Sequence, residues 1–222
     1  MSTADTLLVR SLGRQPYESI WQAMQSFTEQ RTNDTFDEIW LLEHEPVFTL
    51  GRNGNKDHIL SETKIPIIKI DRGGQVTYHG PGQLVAYLMI DIKRRGLGVR
   101  KLVTLIEQSI INTLSEYHLA ASAKKEAPGV YINEAKIAAL GLRIKKGCSF
   151  HGLSLNLDMD LSPFKLINPC GYKDLEVIQL SDYIEEVKLS QVEQQLTVHL
   201  SHHLEYKDVK LIDGLYDETE EE

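Results

Sequence analysis

The chain has 222 residues, 41% hydrophobic and 25% charged, which is ordinary for a soluble globular protein and long enough for one well-packed core. Its formal net charge of −8 argues against a general nucleic-acid surface, and no apolar run approaches the roughly 20 residues that span a bilayer. The start, MSTADTLLVR, lacks the basic and then apolar stretches that mark export, and only two cysteines occur, so a reduced, cytoplasmic setting with free thiols is expected.

In chain order, Ile20, Trp21, Met24 and Phe27 recur at helical spacing and predict an amphipathic helix over 17–31. Strand patterns follow at 36–43, 46–50, 66–70, 75–79 and 83–91. Leu102, Ile106, Ile110, Leu114 and Tyr117 predict a second helix over 99–118, and strands at 128–132, 136–145 and 149–157 come after it. A third helix is expected over 190–206, with Ser190 as N-cap and Glu193 completing a capping box. Strands following strands imply hairpins, so the expected class is α/β of the α+β type: a mixed, largely antiparallel sheet flanked by helices. No linker composition or repeat divides the chain, which reads as one domain over 1–222, and the like-charged run at 217–222 is expected to fray.

The most informative stretch is RGGQVTYHGPGQ at 72–83. Gly73, Gly74, Gly80 and Gly82 take side chains away where backbone must turn at positive φ or approach a bound group. Between them Gln75, Thr77 and His79 alternate with Val76 and Tyr78, so a short strand would turn its polar set toward a pocket. Neither a GxxxxGK[ST] run nor a strand-GxGxxG-helix context is present, and nucleotide binding is not supported.

Cys170 lies in INPCGY between Pro169 and Gly171, which places its thiol in a turn. It reads either as a buried structural cysteine, the reading preferred for Cys148, or as a nucleophile with a nearby activating cation. Lys136 heads KIAALGLRIKK and is either a solvated strand end or, if that strand is central, a desolvated lysine with a lowered pKa that can carry protons. His79 and His151, each followed by glycine, suggest a pocket rim. They lack the third ligand a metal would need, and His199, His202 and His203 read as one polar helix face, so no metal is predicted. Lys93, Arg94, Arg95, Arg100 and Lys101 form the densest basic cluster of this acidic chain.

Taken together, RGGQVTYHGPGQLVAY at 72–87, KIAALGLRI at 136–144, FHGLSLNLDMDLSPF at 150–164 and INPCGY at 167–172 resemble the lipoyl(octanoyl) transferases, and the likeness runs from LLEHEPVFTLGR at 41–52 onward. The resemblance implies a fold like that of the biotin and lipoate protein ligases, and a single catalytic domain. It also implies transfer of an octanoyl or lipoyl group from acyl carrier protein to a lysine of lipoyl domains, in 2-oxoacid dehydrogenase complexes and the glycine-cleavage H protein. By that likeness Cys170 is the nucleophile and Lys136 tunes it. The acyl group is held by Arg72, Gly73, Gly74, Gln75, Val76, Thr77, Tyr78 and His79, by Ala139, Leu140 and Gly141, and by Gly152, Leu153 and Ser154. No cofactor is implied, since going from thioester to amide is downhill without ATP. An acidic carrier would also give the basic cluster at 93–101 a docking role. An ATP-dependent lipoate or biotin ligase and a non-catalytic acyl-carrier binding module are the alternatives.

Overall fold

A computed structural model describes residues 3–173 and 175–215; the acidic run at 217–222 lies outside them. Among the described residues eleven strands and three α-helices follow in order: β1 (Thr6–Gln15), α1 (Tyr17–Gln30), β2 (Asp37–His44), β3 (Val47–Leu50), β4 (Ile67–Lys69), β5 (Val76–His79), β6 (Gln83–Met89), α2 (Val99–Ser115), β7 (Ser122–Ala123), β8 (Gly129–Ile132), β9 (Ala135–Lys145), β10 (Cys148–Asn156), α3 (Leu189–His203) and β11 (Asp208–Asp213). Eight of the strands form one sheet in the order β11-β1-β2-β6-β10-β9-β8-β7, and β4-β3-β5 form a second. In the large sheet β1 pairs in parallel with β2 and β11, and the other neighbours are antiparallel. This is the mixed, mainly antiparallel α/β architecture that the sequence pattern predicts.

Burial on both faces explains why β2 and β6 read as unbroken apolar runs rather than alternating ones. Ile39, Leu41, Leu84, Ala86 and Leu88 pack with Leu102, Ile106 and Ile110 of α2 and Val192, Leu196 and Leu200 of α3. The residues between them, Trp40, Leu42, Val85, Tyr87 and Met89, pack with Ile20 and Met24 of α1 on the other side. Gly152 of β10 permits the closeness of the sheet, because a Cβ there would collide with the Ala86 carbonyl.

Three sequence expectations need correction. The third helix starts at Leu189, where the Lys188 carbonyl accepts from both Gln191 N and Val192 N; Ser190 therefore lies inside the first turn and caps nothing. A capping box occurs instead at Gln179 and Asp182, on a short 3-10 turn. Strands β1 and β11 are absent from the predicted set, since their burial is irregular and their pairing joins opposite ends of the chain, Thr6 against Asp208.

The third correction is confined to Arg94 and Arg95 of the basic cluster. Asp37, wholly buried at the start of β2, accepts from Arg31 Nη2 at 2.6 Å, Arg94 Nη2 at 2.8 Å, Asp91 N at 2.8 Å and Tyr206 Oη at 2.7 Å. Arg95 lies 3.9 Å from the Tyr206 ring centroid and donates to the carbonyls of Ala4 and Leu204. Two of the five cations are thus tied into the fold, and only Lys93, Arg100 and Lys101 are exposed.

Candidate active site

Lys136 is the second residue of β9, an inner strand between β8 and β10, and it is only 3% exposed. Its Nζ lies 3.2 Å from Cys170 Sγ and 3.3 Å from the Pro128 carbonyl. A slip in register between Val130 and Tyr131 on β8, where Tyr131 pairs with Lys136 and Val130 with Ala138, aims the lysine. Strict alternation would put Lys136 and Ala139, three apart, on opposite faces. With the extra residue absorbed, Lys136 shares the face of Ala139: a Cβ on Gly129, the partner of Ala139, would meet Lys136 Cε at 3.1 Å.

Cys170 enters from a 3-10 turn, Pro169–Gly171, and its own backbone is left-handed with φ 55° and ψ 17°. The turn is held to the body by Asn168 N donating to the His58 carbonyl at 2.7 Å and by the pairing of Lys136 with Val177. The thiol is half-buried, whereas Cys148 is buried at the start of β10. Burial opposes a charge on Lys136, yet the adjacent Cys170 and Tyr131 outweigh it and hold the pKa above the ordinary lysine value. The expected lowering is therefore reversed: desolvation is present, but Lys136 is an ammonium with a partner rather than a lone buried amine.

The pair opens onto a cavity of about 400 Å³. Of the predicted wall, Arg72, Gly73, Gly74, Gln75, Thr77 and His79 line it, as do Ala139, Leu140, Gly141, Gly152, Leu153 and Ser154. Val76 and Tyr78 do not; they pack behind the wall with Phe48, Leu50 and Phe164, as the alternation along β5 requires. The glycines act mainly on neighbouring backbone. Gly74 has φ +92°, and a Cβ on Gly82 would collide with the Asp158 carbonyl. Arg72 spends its donors inside the protein, on the Gly73 carbonyl at 2.9 Å and on Thr49 O and Oγ1 at 2.8 and 2.9 Å, so it braces the loop. Val85, Val99, Val103 and Leu142 add apolar wall. Among the α3 histidines, His199 bonds Glu116 and His203 bonds Asn112.

The model of the lipoyl protein ligase A/B catalytic domain matches residues 16–201. An octanoyltransferase of a Shewanella species is 56% identical over 210 residues, covering 95% of this chain and 97% of that protein. The chain belongs to the lipoyl protein ligase A/B family. Solved structures share the fold at low identity. The bi-partite lipoate protein ligase of Thermoplasma acidophilum matches with TM-score 0.75 at 14% identity, over 96% of this chain and 88% of that one. A biotin protein ligase from Aquifex aeolicus, in complex with biotin and ATP, matches with TM-score 0.57 at 12% identity, over 90% of this chain and 72% of that one.

This lipoyl protein ligase A/B family member also has a polar cavity floor that sequence reasoning missed. Tyr17 and Tyr87 line the cavity, and Tyr87 Oη lies 2.7 Å from His44 Nε2. His79 Nδ1 meets Gln83 Oε1 at 2.7 Å, and His151 Nε2 meets Asp71 Oδ1 at 3.0 Å. Most of these polar atoms are thus turned on one another, while His151 Nδ1 is buried without a partner among the described residues. The sequence singles out His79 and His151, and Tyr87 and His44 lie inside segments that carry the family likeness; Tyr17, at the start of a predicted helix, has no signal that sets it in a cavity.

Burial holds His44 at about 4 and His79 at about 3, both below the ordinary 6.5 and so neutral at pH 7. Between pH 6.5 and 4 the unfolded chain gains protons at these positions and the folded chain does not, so stability falls as the pH drops through that window. Each tenfold difference in proton affinity between the folded and unfolded chain is about 1.4 kcal/mol, so the two histidines together cost several kcal/mol by pH 4. Urea denaturation from pH 7 to 4 checks this, and a His79→Gln variant should flatten the slope.

Proposed function

We propose that the chain transfers an octanoyl group from acyl carrier protein to a lysine of lipoyl domains through an acyl-thioester on Cys170, acting as a single catalytic domain in the cytoplasm. The 3.2 Å approach of Lys136 Nζ to Cys170 Sγ inside an acyl-sized cavity carries this reading. Relatives at 56% identity are octanoyltransferases, which supports it. A thiolate beside an ammonium is the reactive form. It attacks the carrier thioester, a new S–C bond forms, and the carrier thiolate leaves with the proton from Lys136. Lys136 is then a neutral amine, ready to take a proton from the incoming lysine. That lysine attacks the acyl-enzyme and forms an amide; Cys170 departs as thiolate and the second proton goes to solvent. Cys170 is part of what holds the Lys136 pKa up against burial, so acylating that sulfur removes this support and helps the lysine give up its proton.

Incubation with octanoyl-loaded carrier, followed by mass spectrometry, tests the reading. An octanoyl mass increase confined to Cys170, cleared by adding a lipoyl domain without ATP, is expected. Turnover with no such adduct, or only with ATP, would favour the ligase reading instead.

Ala139 lines the cavity beside the dyad, and each methylene housed there contributes about 0.8 kcal/mol. An Ala139→Phe variant should lose octanoyl transfer and shift its preference to shorter chains. Assays with carriers bearing four to ten carbons would show this as roughly a tenfold change in relative kcat/KM. The same preference as the parent would place the acyl chain elsewhere.

A further inference from the structure

Glu107 of α2 is 8% exposed, and its Oε1 accepts from the N–H of Gly129 at 3.0 Å. The carbonyl of that same peptide unit, on Pro128, accepts from Lys136 Nζ at 3.3 Å. In a trans peptide these two groups point in opposite directions, so this one is strung between a carboxylate and an ammonium. Gly129 has φ +143°, a conformation few other residues hold, and a Cβ there would meet the Ala138 carbonyl at 2.8 Å and Lys136 Nζ at 3.2 Å. The peptide reaches the lysine only because residue 129 is glycine.

Other charged and titratable groups face the same point. Cys170 approaches from its turn, and Tyr131 from β8 has its ring 5.2 Å from Lys136 Nζ. Lys124 lies 4.3 Å from the Tyr131 ring, and Arg72 interacts with Cys170 from the glycine-rich loop.

We propose that Glu107 is a positioning residue: through the Pro128–Gly129 peptide it fixes the carbonyl that holds Lys136 against Cys170. The inference rests on the acyl-transfer reading for its kinetic consequence, but not for its effect on the thiol. An ammonium held in place favours the thiolate, so losing the acceptor that fixes the peptide lets the lysine drift and makes Cys170 less reactive at neutral pH.

The test compares the full-length protein with Glu107→Gln and Glu107→Ala. Iodoacetamide labelling of Cys170 is followed against pH by peptide mass spectrometry, alongside acyl-enzyme formation from octanoyl-loaded carrier. Gln keeps an acceptor for Gly129 N–H and should stay close to the parent in both measurements. Ala removes the acceptor, and its labelling of Cys170 at pH 7 and its acyl-enzyme formation should each fall about tenfold, with an unchanged KM for the lipoyl domain. A Gln variant as slow as Ala, or an Ala variant as fast as the parent, would overturn the peptide clamp. If the parent itself gained no octanoyl mass on Cys170, the reaction would be wrong, while the labelling profiles would still decide the role of Glu107.

Discussion

A Cys170→Ser variant is expected to lose octanoyl transfer by on the order of 10³-fold or more, because members of a nucleophile-activator pair act as a unit and removing one forfeits nearly the whole effect. A serine hydroxyl beside the Lys136 ammonium, 3.2 Å away in the parent, has no thiolate-like form at neutral pH. Lys136→Met removes the counter-charge and the proton carrier together, and should cost about 10² to 10⁴. Lys136→Arg separates the two roles, since a guanidinium keeps the charge but does not give up its proton. That variant should form acyl-enzyme slowly and then stall, so rapid-quench mass spectrometry would find octanoyl on Cys170 persisting after the lipoyl domain is added. Prompt clearance by Lys136→Arg would remove Lys136 as the base of the second half.

The largest expected loss of stability comes from Asp37→Asn. Asp37 is fully buried, and two arginines converge on its Oδ1, Arg31 with 4% of its side chain exposed and Arg94 with 15%. Breaking a buried ion pair by removing one partner costs about 3–5 kcal/mol, because the remaining charge stays buried and uncompensated. Arg31 also donates to the Met89 and Phe36 carbonyls and Arg94 to the Asn33 and Thr35 carbonyls, but these neutral acceptors leave both charges uncompensated. A loss of that size should lower the melting temperature by about 10 °C in a chain of this length. The Tyr206 hydroxyl loses a charged acceptor in the same step and loosens the end of α3. An unchanged melting temperature would mean that this network is solvated and contributes little.

The reversal at Arg94 and Arg95 shows how a sequence signal misleads. A dense basic run in an acidic chain reads as a docking face, and nothing local distinguishes it from cations that fold inward. The acceptor for Arg94 is 57 residues away on β2, and the ring under Arg95 belongs to Tyr206 at the far end of the chain. The glycine-rich motif was legible for the opposite reason. Its period of two is a local property, so Thr77 and His79 face the cavity and Val76 and Tyr78 face the core wherever the strand is placed.

By itself the sequence determined the fold class, the three helices, strands β2 to β6 and β8 to β10, and much of the cavity wall, since each rests on periodicity or turn chemistry within a dozen residues. It also singled out Cys170, through a turn that exposes it, and Lys136, through the apolar strand it heads. Only the tertiary structure decided that the two meet. That depends on a one-residue slip against β8, which turns Lys136 to the cavity face, and on a left-handed backbone at Cys170. It likewise decided the direction in which the lysine's pKa moves, because desolvation is read from a sequence but a partner 34 positions away is not. Pairings of that range are fixed by packing and register rather than by local preference.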